Sequence, residues 1–254
     1  MIFLKTDEEI ELMRESNLIV ARTLAEVGRN VKPGVSTLQL DKIAETFIRD
    51  CGAEPSFLGY EGFPNSICTS VNDQIVHGIP SDYVLKDGDI ISVDCGALKN
   101  GFHGDSCYTF GVGELPHKVA ALLKSTKAAL YGAIAQAVEG NRIECIGAAV
   151  QQVVEGDGFS VVREYTGHGI GRKMHEDPHV RNYGKAGRGI KLRKGMVIAI
   201  EPMVCMGKAE LYVEDDGWTA VSCDHLPAAH FEHTVAVGIG KADILSSFDF
   251  IENI

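Results

Sequence analysis

Apolar residues in this chain recur with two different periods. They fall at three- and four-residue spacing over 8–27, 40–48, 118–138 and 143–154, which predicts four amphipathic helices. Behind each pair of helices come shorter stretches in which apolar and polar positions alternate, the mark of half-buried strands. One such stretch turns at Asn100-Gly101, a dipeptide that tolerates the left-handed backbone of a two-residue hairpin turn. Others are VIAI at 197–200 and a strand predicted over 229–237. The order helix, helix, strands is thus written twice.

The two copies also share detail. Residues 85–94 read LKDGDIISVD and 192–201 read LRKGMVIAIE, an offset of 107, with Leu, a basic residue, Gly and a final carboxylate in common. At an offset of 106, Gly34 answers Gly140, and Cys51-Gly52 answers Asp157-Gly158. Chance similarity of amphipathic segments does not readily give matched glycines and a matched carboxylate at one offset. A duplication follows, with halves of about 1–112 and 113–254 in a single domain, and no linker or low-complexity segment between them. Two such halves pack about a pseudo-two-fold axis, which puts Asp94 and Glu201, each read as closing a strand, close together at the seam.

Composition narrows the partners. With 24 Lys+Arg against 35 Asp+Glu the net charge is −11, the wrong sign for a general nucleic-acid or anionic-membrane binder. No apolar run has the length of a membrane span and the start, MIFLKTDEEI, has no signal-peptide apolar region. The seven cysteines are an odd number without a Cys-x-x-Cys pair, which argues against a disulfide framework or a thiolate zinc site and fits a reducing cytoplasm.

In the hairpin register set by Asn100-Gly101, Lys99 pairs with Phe102 and Asp105 lies opposite Gly96. Asp94 and Asp105 then share one face as diagonal neighbours, roughly 7–8 Å apart at the backbone. Two like charges on a buried face are costly unless a cation sits between them. The second half contributes Glu201, in phase with Val197 and Ala199, and Glu232 on the strand over 229–237. His168, in Thr166-Gly-His-Gly-Ile-Gly, adds an imidazole. Four carboxylates and one histidine make a donor set for two divalent ions such as Mn, Fe, Co or Zn, and such pairs serve hydrolysis. No one of these residues is distinctive alone, since most acids are solvated and a lone histidine is more often structural. His225 and His230 lack such support and are read as surface or loop residues. Cys95 is read as a small core residue, because no histidine is placed to activate it.

The strings EYTGHGIGRKMHEDPH at 164–179, IEPM at 200–203, FEHT at 231–234, NDQIVHGIP at 72–80 and SVDCGALKNGFHGDSCYTF at 92–110 together resemble the methionine aminopeptidases. The resemblance spans nearly the whole chain and is closest to the single-domain, type I form. It implies an α+β pita-bread fold of two pseudo-symmetric helix-helix-strand halves around a central antiparallel sheet. It also implies that Asp94, Asp105, His168, Glu201 and Glu232 are metal ligands, Asp105 and Glu232 bridging two ions, and that Glu201 accepts the proton of the attacking water. His77 falls at the position that contacts the scissile amide or the amine, and His175 at the one that binds the substrate carbonyl. Tyr60, Phe63, Cys68 and Trp218 would line the methionine pocket, where aromatics and sulfur suit a thioether. Phe57, Phe63 and Met174 depart from the commoner pattern, which bears on pocket shape alone.

The implied activity is removal of initiator methionine from nascent chains, with a small second residue preferred. The alternatives are a proline-specific peptidase of the same fold, which usually carries an additional N-terminal domain, and an inactive relative used for binding, which typically loses ligands. Residues 181–194 hold six bases (Arg181, Lys185, Arg188, Lys191, Arg193 and Lys194) and no acid, a candidate ribosome contact in an otherwise acidic chain. Nothing in the sequence demands more than a monomer.

Overall fold

The computed structural model describes residues 1–253. Its four long helices are α1 (Asp7–Gly28), α2 (Thr37–Asp50), α3 (His117–Ile134) and α4 (Glu144–Gly156). Two of them start where the sequence chemistry requires. Thr6 caps α1 and Ser36 caps α2, and Glu9 and Gln39 close reciprocal capping boxes by reaching back to the cap amides. α3 ends four residues before the predicted 138, because the segment after it leaves to pair elsewhere: Val138 bridges Gly238, and the Glu139 N–H donates to the Gly238 carbonyl. Tertiary pairing there overrides an apolar pattern that would otherwise continue the helix.

Strands Ile90–Lys99 and Phe102–Gly111 form the hairpin in the predicted register, with Lys99 opposite Phe102 and Gly96 opposite Asp105. Asn100 (φ 54°) and Gly101 (φ 76°) make its left-handed turn. The first strand does not close at Asp94 but runs five residues beyond it, flanked on its other edge by Ile67–Val71, where Cys68 pairs with Asp94. Asp94 is therefore held from both sides in mid-strand.

All strand pairs are antiparallel, and their ladders divide into a four-stranded, a five-stranded and two three-stranded sheets. The division arises at two carboxylates. The strand expected over 229–237 is broken: Ala228–His230 pairs with Met203–Cys205, whereas His233–Ala236 pairs with Val197–Ile200. The break falls at Phe231-Glu232 on one chain and Glu201-Pro202 on the other, where Pro202 has no N–H to continue the ladder. Glu201 and Glu232 thus stand where a strand pair passes from one sheet to the next.

The repeat glycines adopt matching left-handed conformations, Gly34 at φ 92° and Gly140 at 95°, Gly88 at 89° and Gly195 at 87°. One apolar cluster runs through both halves, taking in Leu24, Ile91, Leu122, Ile146, Ile198 and Val235.

Candidate metal centre

The hairpin carries Asp94 and Asp105 to a seam where the second half presents His168, Glu201 and Glu232. Hydrogen bonds crossing that seam fix the backbone around each. The Ser106 hydroxyl donates to the Glu232 carbonyl (2.6 Å), the Thr234 hydroxyl to the Asp105 carbonyl (2.8 Å), and the Glu232 N–H to the Cys107 carbonyl (2.9 Å). Asn17 of α1 accepts from the Asp105 N–H (3.2 Å), and Asn182 donates to the Glu201 carbonyl (2.9 Å).

His168 lies on the strand Gly167–Gly169, between Glu176–Val180 and Val197–Ile200. Its glycine neighbours are required by that position. A Cβ at residue 167 would stand 2.3 Å from the Ala199 carbonyl oxygen, and one at residue 169 would stand 2.1 Å from that of Asp177. His168 Nδ1 is 2.9 Å from the Gly169 carbonyl, which can only accept, so the ring proton resides there. Nε2 is left with its lone pair facing Asp105 (3.6 Å) and Glu201 (3.7 Å).

Ligand atoms of Asp105, His168 and Glu232, all buried, lie within 4.8 Å of one another. The oxygens Asp94 Oδ1, Asp105 Oδ1 and Glu232 Oε1 are buried without a hydrogen-bond partner. Burial, and for Asp94, Glu201 and Glu232 the neighbouring carboxylates as well, push these acids and Asp105 well above the ordinary carboxylate range. Burial holds His168 down to about 4, so its imidazole is neutral. Orphaned carboxylate oxygens that repel one another, beside an imidazole offering a lone pair, form an arrangement that divalent cations complete. The residues present fit such ions.

Two connected cavities adjoin this cluster. The larger, about 550 Å³, is lined by His77, Asp94, His168, His175, Glu201 and His230 among others. The smaller, about 150 Å³, has Phe57, Tyr60, Phe63, Cys68, Met174 and Trp218 in its wall together with the five candidate ligands themselves. Phe63 meets Trp218 edge-on at 5.2 Å. The five candidate ligands, His77, His175 and the four residues expected in the methionine pocket all line one or both of these cavities. Burial lowers His77 and His175 to about 4, which keeps both imidazoles neutral. His77 is held at φ 59°, a strained backbone for a non-glycine residue.

His230 corrects the sequence reading. It is buried at 2 % exposure rather than on the surface, opposite Met203, with Nε2 3.8 Å from Glu201. Its position two residues before Glu232 was the available signal, since strand alternation puts both on one face. Tyr165, edge-on to His77 at 5.2 Å, was also missed. His225 is exposed, 2.8 Å from Asp73, as a loop residue. Cys95 is fully buried, its thiol pushed up by burial, which suits packing and not nucleophilic attack.

A buried carboxylate–histidine cluster at the seam of two α/β halves, opening on a substrate-sized cavity, defines a metal-assisted hydrolase. The sequence profile of metallopeptidase family M24 matches residues 11–238, and the chain belongs to that family. It is 50% identical over 246 residues to a methionine aminopeptidase of Clostridium perfringens, covering 97% of this chain and 99% of that one. It is equally identical over the same length to methionine aminopeptidase 1 of Bacillus subtilis, with the same coverage. Among solved structures, a methionine aminopeptidase of Thermotoga maritima superposes with a TM-score of 0.96 at 42% identity, covering 97% of this chain and all of that one. The fold is the pita-bread fold of this family. A prolidase of Pyrococcus furiosus shares it at a TM-score of 0.79 and 23% identity, but this chain covers only 65% of that protein.

Proposed function

We infer that this chain is a metal-dependent aminopeptidase that hydrolyses the first peptide bond of polypeptides beginning with methionine, releasing the free amino acid and preferring a small second residue. The observation that carries this reading is the carboxylate–histidine cluster sharing a cavity of about 150 Å³ with an aromatic, sulfur-containing wall of Phe57, Tyr60, Phe63, Cys68, Met174 and Trp218, chemistry suited to a thioether side chain.

Asp94, Asp105, His168, Glu201 and Glu232 would hold two divalent ions, drawn from Co, Mn, Fe and Zn. Such ions, when bound, polarise the scissile carbonyl and lower the pKa of water. The protein's own groups do the rest. Tyr60, Phe63, Cys68 and Trp218 grip the methionine side chain. His77 contacts the scissile amide or the free amine. Neutral His175 donates to the substrate carbonyl and to the oxyanion that forms from it. Glu201 accepts the proton of the attacking water.

The reading extends to context. One catalytic unit of two duplicated halves, working as a monomer in the cytoplasm on nascent chains, accounts for the sequence. Among the described residues no helix is long and apolar enough to cross a membrane. All six bases of 181–194 are exposed, available for ribosomal RNA near emerging N-termini.

The test is hydrolysis of a Met-Ala-Ser peptide by the metal-free protein titrated with Mn(II) and Co(II), against Ala-Ala-Ser and Xaa-Pro controls. Metal-dependent release of methionine alone supports the reading. Cleavage before proline whatever the first residue would replace it with the proline-specific activity, and no turnover with any metal in folded protein would favour a binding role.

A further inference from the structure

The Tyr60 hydroxyl lies 2.7 Å from His175 Nδ1, with the two rings tilted by 43° at a centroid distance of 5.2 Å. Among the described residues this is the hydroxyl's one hydrogen bond. Tyr60 is set in place by an unusual loop. Gly59, Glu61 and Gly62 all have positive φ (80°, 49° and 93°), and Glu61, a non-glycine residue, is strained by that conformation. The loop is tied down by hydrogen bonds from the Gly59 N–H to the Phe63 carbonyl (2.8 Å) and from the Tyr60 N–H to the Phe57 carbonyl (2.9 Å). The one strained residue of this loop, Glu61, is Tyr60's immediate neighbour.

We propose that Tyr60, besides lining the apolar cavity, is the positioning residue that locks His175 in the tautomer carrying its proton on Nε2. The proposal rests on the reading of His175 as the donor to the substrate carbonyl. Only two arrangements of this hydrogen bond exist. If the phenolic O–H donates, Nδ1 accepts, and a neutral imidazole must carry its hydrogen on Nε2, where it can donate to an oxygen. If Nδ1–H donated instead, the phenolic hydrogen would be left to solvent at this exposed pair and Nε2 would turn a lone pair toward the carbonyl. Burial raises the Tyr60 phenol, so it stays protonated and able to donate. His168 stands edge-on to His175 at 4.3 Å and limits rotation of the ring from the other side. The residue that would touch the methionine side chain thereby also aims the group that would stabilise the oxyanion.

The experiment compares wild type with Tyr60→Phe, which keeps the ring and removes the hydroxyl. In metal-free protein labelled with 15N-histidine, the His175 resonances, assigned by their loss in His175→Ala, report one neutral tautomer protonated at Nε2 in wild type and a mixture in Tyr60→Phe. With Mn(II) and Met-Ala-Ser, kcat falls about ten- to hundredfold, as when other orienting partners of functional histidines are removed, and KM changes by less than about threefold. In a His175→Ala background the same substitution adds less than about twofold, the non-additivity of one shared pathway. A proton on Nδ1 in wild type, or an unchanged kcat in Tyr60→Phe, overturns the proposal. Absence of methionine release by wild type removes the functional reading instead, and the resonances then decide the hydrogen bond alone.

Discussion

Gly167→Ala isolates the geometry of the metal centre without touching a candidate ligand. The new Cβ would lie 2.3 Å from the Ala199 carbonyl oxygen and 3.1 Å from Val180 Cβ. Ordinary contact begins near 3.4 Å, so the strands carrying His168 and Glu201 must separate by about 1 Å, and the obstacle is backbone that cannot rotate away. Overpacking of this kind costs about 1–3 kcal/mol. For a chain of this size each kcal/mol lowers Tm by about 2–4 °C, giving a fall of roughly 2–12 °C. Because His168 Nε2 and Glu201 Oε1 are 3.7 Å apart, the same displacement opens the cluster and lowers kcat/KM by about a hundredfold. Differential scanning calorimetry reads the fall in Tm, Mn(II)-dependent hydrolysis of Met-Ala-Ser reads the fall in kcat/KM, and Mn(II) titration calorimetry reads the opened cluster directly. Gly132→Ala is the matched control: it lies within α3, a Cβ there meets only Val153 at 3.9 Å, and the change stabilises by about 0.5–1 kcal/mol. A Gly167→Ala protein with wild-type Tm and wild-type Mn(II) affinity would refute the reasoning.

Asp94→Ala abolishes metal-dependent methionine release while leaving circular dichroism and Tm of the metal-free protein intact or raised, since it removes one of four mutually repelling acids; full activity would sink the site assignment. In metal-free protein the acids' contribution to stability declines as pH rises above the ordinary carboxylate range, because acids with raised folded pKa values bind more protons in the native than in the unfolded state there. The buried histidines act with the opposite sign between about 3–4 and 6.5, so the acids' share is read as the difference in the pH dependence of Tm between wild type and Asp94→Asn; identical pH dependence in the two would contradict the acid cluster. Lys5→Ala strands Glu176, its partner at 2.5 Å with both side chains 6% exposed, and costs about 3–5 kcal/mol in chemical denaturation. Reversing charge at Arg188 and Lys191 weakens ribosome co-sedimentation in a salt-dependent way, and unchanged binding removes that contact.

What the sequence made legible was local. The hairpin register that brings Asp94 and Asp105 to one face follows from Asn100-Gly101 and strand alternation, both properties of neighbouring residues. The four helices followed from periodicity for the same reason. What stayed hidden depended on partners far along the chain. α3 stops short because Glu139 pairs with Gly238. The strand over 229–237 breaks because its two ends join different strands, Met203–Cys205 and Val197–Ile200. His230 was misplaced for a different reason: it stands outside any recognised motif, although alternation from Glu232 within the expected strand already puts it on the inward face.

The sheet crossing also accounts for where the carboxylates are. A strand that changes partners leaves a gap in the ladder, and at Glu201-Pro202 and Phe231-Glu232 the chain uses that gap to aim side chains inward. In an uninterrupted strand pair, alternation would send half of such groups to the opposite face. The first half solves the same problem differently, with diagonal positions on a regular hairpin. Bonds from Ser106 to Glu232 and from Thr234 to Asp105 then tie one solution to the other, so neither pair of acids can relax from the other without breaking buried hydrogen bonds. Repulsion in the metal-free cluster is consequently borne by the whole seam. A cation that relieves it stabilises the docking of the two halves along with the site itself.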